Sequence, residues 1–221
     1  MTHRSRVPTT PPPRMALFDK LFGPRRERQG PESLLPAERE AAVKDSTSAR
    51  DAARLLRAPT ALMQLSEAEA STVVGFMRPW LYRVGDVIIR QGDASDTGFM
   101  VLVLSGEITV ESLVASRTSP ITVNVLGPGS LIGEVALVDG AARSASCTAS
   151  TEVRCAVLTR EALETLIREQ PTTAATLMTA VAQRLAERLR ESGDKIKLYS
   201  QLVQTLQQEI EALAPTPARY R

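Results

Sequence analysis

Residues 129–145 read GSLIGEVALVDGAARSA, and this stretch decides the rest. Gly133 opens a short helical turn, so the backbone N–H groups that follow can approach an anion, and the start of the helix adds positive potential. Arg143, arriving from the next strand, supplies a planar fork that matches phosphate oxygens. A carboxylate beside that glycine does nothing for an anion. Glu134 makes sense instead as an acceptor for a hydroxyl, as an acidic residue reads a ribose in dinucleotide-binding folds. One anion cradle beside one hydroxyl acceptor has the chemistry of a nucleotide pocket.

Working outward, the chain from Trp80 to Leu158 is a series of short apolar or β-branched runs: Val87 to Ile89, Phe99 to Leu104, Ile108 to Val110, Ile121 to Val125 and Val153 to Leu158. Glycines at 85, 92, 98, 106, 127, 129 and 133 punctuate them. Many short strands with frequent glycine turns predict an antiparallel sandwich or roll. Helices are expected on both sides. Ser66 and Glu69 fit a capping box opening a helix from Ser66 to Met77, Thr159 is an N-cap for residues 160–169, and Pro171 breaks the chain before a helical pattern from Thr172 to about Leu213.

That last helix carries an unbroken heptad pattern. Leu189, Ile196, Val203 and Ile210 fall at a, and Leu185, Ser192, Tyr199, Leu206 and Leu213 at d. Mostly β-branched residues at a with mainly leucine at d predict a parallel homodimer; a helix packed on its own body explains the stripe but not the sustained period.

The ends read differently. Residues 1–60 hold 12 Lys/Arg against 7 Asp/Glu and read as a disordered basic leader, with consecutive prolines at 11–13. Inside it, residues 15–23 form a short amphipathic segment, with Leu17, Phe18, Leu21 and Phe22 on one stripe. Arg25, Arg26 and Arg28 extend it to a docking motif over 15–28 for an unknown protein partner, or a merely sticky tail; Met15 is an alternative start. Residues 30–60 read as a linker, with helix expected near 46–57. The boundaries that follow are 61–171 for the β domain, 172–214 for the long dimerisation helix and 215–221 for a tail.

Composition closes several function classes. At 43% hydrophobic and 24% charged residues, the 221-residue chain has material for one ordinary domain plus extensions. Residues 61–221 hold 15 Lys/Arg against 18 Asp/Glu, which gives no basic face for nucleic acid. Cys147 and Cys155 lack zinc-site spacing and read as buried reduced thiols. No apolar run is long enough to span a bilayer, so membrane contact is at most peripheral and the expected location is cytoplasmic. The only histidine is His3, and no nucleophile pair neighbours Glu134, so neither a metal site nor an enzyme is expected.

The 129–145 stretch resembles the phosphate-binding cassette of cyclic-nucleotide-binding domains, especially those of bacterial cAMP receptor proteins and protein kinase A regulatory subunits. Arg143 follows Glu134 by nine residues as in the kinase-type cassette, and Arg143-Ser144-Ala145 is similar to the bacterial regulators. Gly85-Asp-Val-Ile-Ile, Gln91-Gly92-Asp93, Phe99-Met-Val-Leu with Ser105-Gly106-Glu107, and Leu126-Gly-Pro-Gly129 follow the family's order, so the likeness covers roughly residues 62–200.

The resemblance implies a mainly β fold with helices: an eight-stranded antiparallel jelly roll plus a long C-terminal coiled-coil helix. It implies that Glu134 accepts from a ribose 2′-OH, that Arg143 pairs with the cyclic phosphate, and that Gly133, Val135, Ser144 and Ala145 complete the ligand site. Ser192 falls where the family places a hydroxyl over the base, with Gly193 replacing a second one. Serine at 144, where cGMP binders often carry threonine, favours cAMP over cGMP as the regulatory ligand, and a cyclic dinucleotide stays open.

The family's transcription factors continue into a winged helix-turn-helix after the dimer helix. Only 27 residues follow from Lys195, most of them already in heptads, so no DNA-binding domain is expected. The implied protein is a dimeric sensor signalling to a protein partner or assembly. The alternative is a scaffold that kept the fold and no longer depends on a ligand.

Overall fold

A computed structural model describes residues 34–112 and 121–213. The leader segment 15–28 and the tail 215–221 lie outside these residues. Among the described residues three helices come first, α1 (Pro36–Asp45), α2 (Thr47–Leu56) and α3 (Glu67–Gly75). The strands are β1 (Arg78–Tyr82), β2 (Val87–Ile89), β3 (Phe99–Ser105), β4 (Ile108–Ser112), β5 (Ile121–Leu126), β6 (Leu131–Ile132), β7 (Ser146–Ala149) and β8 (Val153–Thr159). Helix α4 (Glu134–Asp139) lies between β6 and β7, and α5 (Arg160–Glu169) and α6 (Pro171–Leu213) close the series.

The described strands form two four-stranded sheets, β1-β8-β3-β6 and β2-β7-β4-β5, with every pairing antiparallel. Side chains alternate between the two faces of a strand, yet Met100, Val101, Leu102 and Val103 of β3 are all buried. Val101 and Val103 enter the core between the sheets with Ile88, Ile108, Cys147, Val153 and Cys155. Met100 and Leu102 are buried on the opposite face of the strand. That double burial explains why Phe99 to Leu104 reads as an uninterrupted apolar run rather than an alternating one.

Local chemistry sets the helix starts. Ser66 Oγ accepts from Glu69 N at 3.2 Å while Ser66 N donates to Glu69 Oε2 at 2.9 Å, the reciprocal capping box expected for α3. Thr159 Oγ1 accepts from Ala162 N at 3.3 Å and opens α5.

Residues 36–56 form two helices where a linker was expected, the second lying where helix was expected near 46–57. Ser46 caps α2 by accepting from Ala49 N at 3.2 Å, and Ala49, Ala52, Ala53 and Leu56 are buried along one face. Their spacing is that of an amphipathic helix, with alanine and leucine on the buried face and Arg50, Asp51 and Arg54 on the exposed one. Thr60 Oγ1 donates to Gly129 O at 2.8 Å, tying this region to the turn before β6. Gly129 has φ +81, and a Cβ there would come within 3.0 Å of Ala58 Cβ.

The chain divides into two compact units at Val181/Ala182. In the second, Leu189, Ile196, Tyr199, Val203, Leu206 and Ile210 are exposed along α6. Among the described residues no helix is long and apolar enough to cross a membrane.

Candidate functional site

The site forms where β6 stops and α4 begins. Gly133 is in the left-handed region at φ 81 and ψ 0, and α4 ends at Gly140, also left-handed at φ 69. A side chain at Gly133 has no room: a Cβ would sit 2.9 Å from Arg143 Nη1, 2.9 Å from Phe99 O and 3.2 Å from Ile89 Cδ1. The glycine therefore lets the Arg143 guanidinium pass against the backbone, which the sequence had given only as permission for an anion to approach.

Three backbone oxygens hold that guanidinium. Nη1 donates to Gly133 O at 2.9 Å, Nη2 to Phe99 O at 3.1 Å and Nε to Asp96 O at 3.0 Å. The Phe99 ring lies 4.4 Å from the guanidinium carbon, a cation–π distance. Arginine has five N–H donors, so these bonds leave one N–H on each terminal nitrogen for a further acceptor. The acceptors are neutral and do not cancel the charge.

Arg143 is 4% exposed and Glu134 2%. Burial pushes the arginine below its ordinary range, opposed by the negative charge of Asp96, Asp93 and Glu134 and by the Cys147 thiol. Desolvation likewise raises the Asp96 carboxyl, against the pull of Arg143. Asp93 is held low, chiefly by hydrogen bonds from the Ser95 hydroxyl and backbone.

Of the residues singled out in the sequence, Gly133, Glu134 and Arg143 are brought together. Val135 and Ser144 are exposed beside them, and Ala145 is half-buried. Ser192 belongs to the second unit, where its hydroxyl donates to Arg188 O at 2.8 Å within its own helix.

What sequence reasoning missed is the cradle around Arg143. Arg143 N donates to Asp93 O at 3.0 Å, Gly92 N donates to Arg143 O at 2.8 Å, and the Asp96 and Phe99 carbonyls take the side chain. Backbone carbonyls leave no residue-type signature; the only hint was Gln91-Gly92-Asp93, noticed for its order in the chain.

Glu134 lines a small apolar cavity of about 10 Å³ with Met100, Leu137, Leu158, Leu163, Leu177 and Val181. That is room for about one water molecule. Glu134 is buried there, with Leu137 of α4 and Leu177 and Val181 of α6 in the same lining.

Residues 80–170 match the family described as the cyclic nucleotide-binding domain. Over residues 80–170 the chain is similar to a cyclic nucleotide-binding domain. A cyclic AMP receptor protein from Thermus thermophilus is 34% identical over 136 residues, which cover 62% of this chain and 60% of that protein. A crystal structure of a cyclic nucleotide-binding domain from Methylobacillus flagellatus superposes with a TM-score of 0.58 at 27% identity, over 68% of this chain and 83% of that one. The catabolite activator protein of Thermus thermophilus gives 0.54 at 32% identity, over 62% and 61%. The chain thus spans about 60% of the length of the curated relative. The described residues form an antiparallel β-sandwich and a long C-terminal helix, and residues 133–145 lie inside the matched region.

Proposed function

We propose that this protein is a non-enzymatic cytoplasmic sensor of a cyclic nucleotide, cAMP in preference to cGMP, acting as a parallel homodimer and signalling to a protein partner rather than to DNA. The observation that carries this reading is Arg143: a buried cation held by three neutral carbonyls behind a glycine that no other residue can replace without a clash. A cyclic phosphate adds a further anion to this buried guanidinium, beyond the charge of Asp96, Asp93 and Glu134. Glu134 then takes the ribose 2′-OH, with Val135, Ser144 and Ala145 completing the wall.

Both charged groups are buried in the closed form, so ligand entry requires opening. Leu177 and Val181 of α6 help cover Glu134, and opening therefore moves the start of the long helix. A ligand that binds only the open arrangement shifts the population of the helix, which gives the sensor an output. In the second unit the a and d residues supply the seam through which two copies pair, and Ser192 is the polar break in that seam.

Calorimetry of the purified chain with cAMP and with cGMP tests the reading. Hydrogen bonds to a charged group contribute about 1.5–3 kcal/mol, so Arg143→Ala weakens binding roughly 10- to 150-fold. Equal affinity in wild type and variant removes Arg143 from the site. No heat with either nucleotide favours the ligand-independent scaffold.

A further inference from the structure

Glu169 is an odd residue for its position. It ends α5, where the carbonyl ends of a helix disfavour a carboxylate. Compensation comes from 130 residues away, because Arg39 of α1 forms an ion pair with it through Nη2 and Oε2. Arg39 is itself 4% exposed, and its guanidinium carbon lies 4.1 Å from the centroid of the Phe76 ring, at the end of α3. Helix α1, PAEREAAVKD, has almost no apolar face: its buried residues are Arg39 and Val43. Besides the packing of Val43 and the Arg39 stem against Gly75 of α3, this ion pair ties α1 to the end of α5.

The place it grips is a joint. Gln170 alone separates α5 from α6, with φ −135 and ψ 61 outside the helical region, and Pro171 then opens the long helix. Gln170 N donates to Leu166 O at 2.8 Å and Ala174 N to Gln170 O at 2.9 Å, so the peptides flanking this residue set the angle of the joint. Two turns further on, Leu177 and Val181 line the cavity shared with Glu134 and Leu137.

We propose that Arg39 and Glu169 form a releasable latch by which the N-terminal helix α1 restrains the α5–α6 joint and so sets how readily the Glu134 cassette opens. The latch deepens the sensor reading by giving the N-terminal region control over the same site. A protein that pulls on or covers α1 acts on the cassette through the joint.

Hydrogen exchange on the full chain without nucleotide tests this, so a chain that fails to bind cAMP still answers the question. The variants are Glu169→Gln, which changes a residue already 31% exposed, Arg39→Gln, and the double variant. The latch predicts exchange at least about tenfold faster at the amides of Gln170 and Ala174, and several-fold faster at Leu137 and Gly140 of the cassette, in each single variant. The double variant should be no worse than the worse single one, and Val101 and Val103 in the central sheet should be unaffected. Arg39→Lys, which keeps the charge, should restore part of the protection. Unchanged exchange at Gln170 and Ala174 overturns the latch. So does acceleration spread equally over the sheet, which means that the pair serves only global stability, or acceleration at the joint without any at Leu137 and Gly140.

Discussion

Gly133→Ala probes the geometry of the cassette most sharply. Gly133 is left-handed at φ +81, which costs an alanine about 1–2 kcal/mol. Its Cβ would also stand 2.9 Å from Arg143 Nη1 and 2.9 Å from the Phe99 carbonyl, closer than such atoms pack, and only the guanidinium can give way. Moving it sacrifices at least one bond from a charged donor, a further 1.5–3 kcal/mol or so. The sum is about 2.5–5 kcal/mol, a fall in Tm of roughly 5–20 °C for a chain of this size. Gly85→Ala is the control, because Gly85 has φ +85 but nothing within 4 Å of where a Cβ would stand, so it carries the conformational cost alone. Thermal unfolding of the two variants decides the matter. If Gly133→Ala costs no more than Gly85→Ala, the guanidinium does not rest against Gly133 and the description of the cradle fails.

Two further outcomes follow from the structure. Burial raises the Asp96 carboxyl, so the native state keeps that proton to higher pH than the unfolded chain does, and the penalty grows as pH rises from the ordinary carboxylate value of 3.8. Asp96→Asn should therefore raise Tm at neutral pH, with a gain that shrinks toward zero near pH 3; a gain independent of pH would refute the assignment to ionisation. The heptads from Leu185 to Leu213 predict that light scattering of the full chain gives twice its 24.0 kDa mass, and that a chain ending at Glu191 is monomeric and folded. A full-length monomer at micromolar concentration rules out the paired helix.

The parts of this protein legible in its sequence are those where residue type and spacing carry the physics. Ser66 with Glu69, Thr159 and Pro171 marked helix boundaries because capping and the missing proline N–H act locally. Gly133, Glu134 and Arg143 were singled out together from residue type and spacing, and the fold brings them together. Helix α2 falls where helix was expected near 46–57, but α1 was not foreseen, since its buried residues are only Arg39 and Val43 and the ion-pair partner of Arg39 lies at Glu169. Strands β6 and β7 escaped for a related reason: Leu131–Ile132 is only two residues long, and Ser146–Ala149 is made strand by pairing with β2 and β4 rather than by its own propensity. The burial of Glu134 was equally hidden, because it depends on Leu177 and Val181 lying beside it in space.

The central claim is that a cyclic nucleotide enters between Glu134 and Arg143. Amide hydrogen exchange at Gly133, Leu137, Gly140 and Arg143, measured with and without saturating cAMP in wild type and in Arg143→Ala, tests it most directly. The account predicts exchange slowed at least about tenfold at these amides in the wild type, and little change in the variant at the same concentration. Exchange at the cassette that is indifferent to both cAMP and cGMP in the wild type would contradict it.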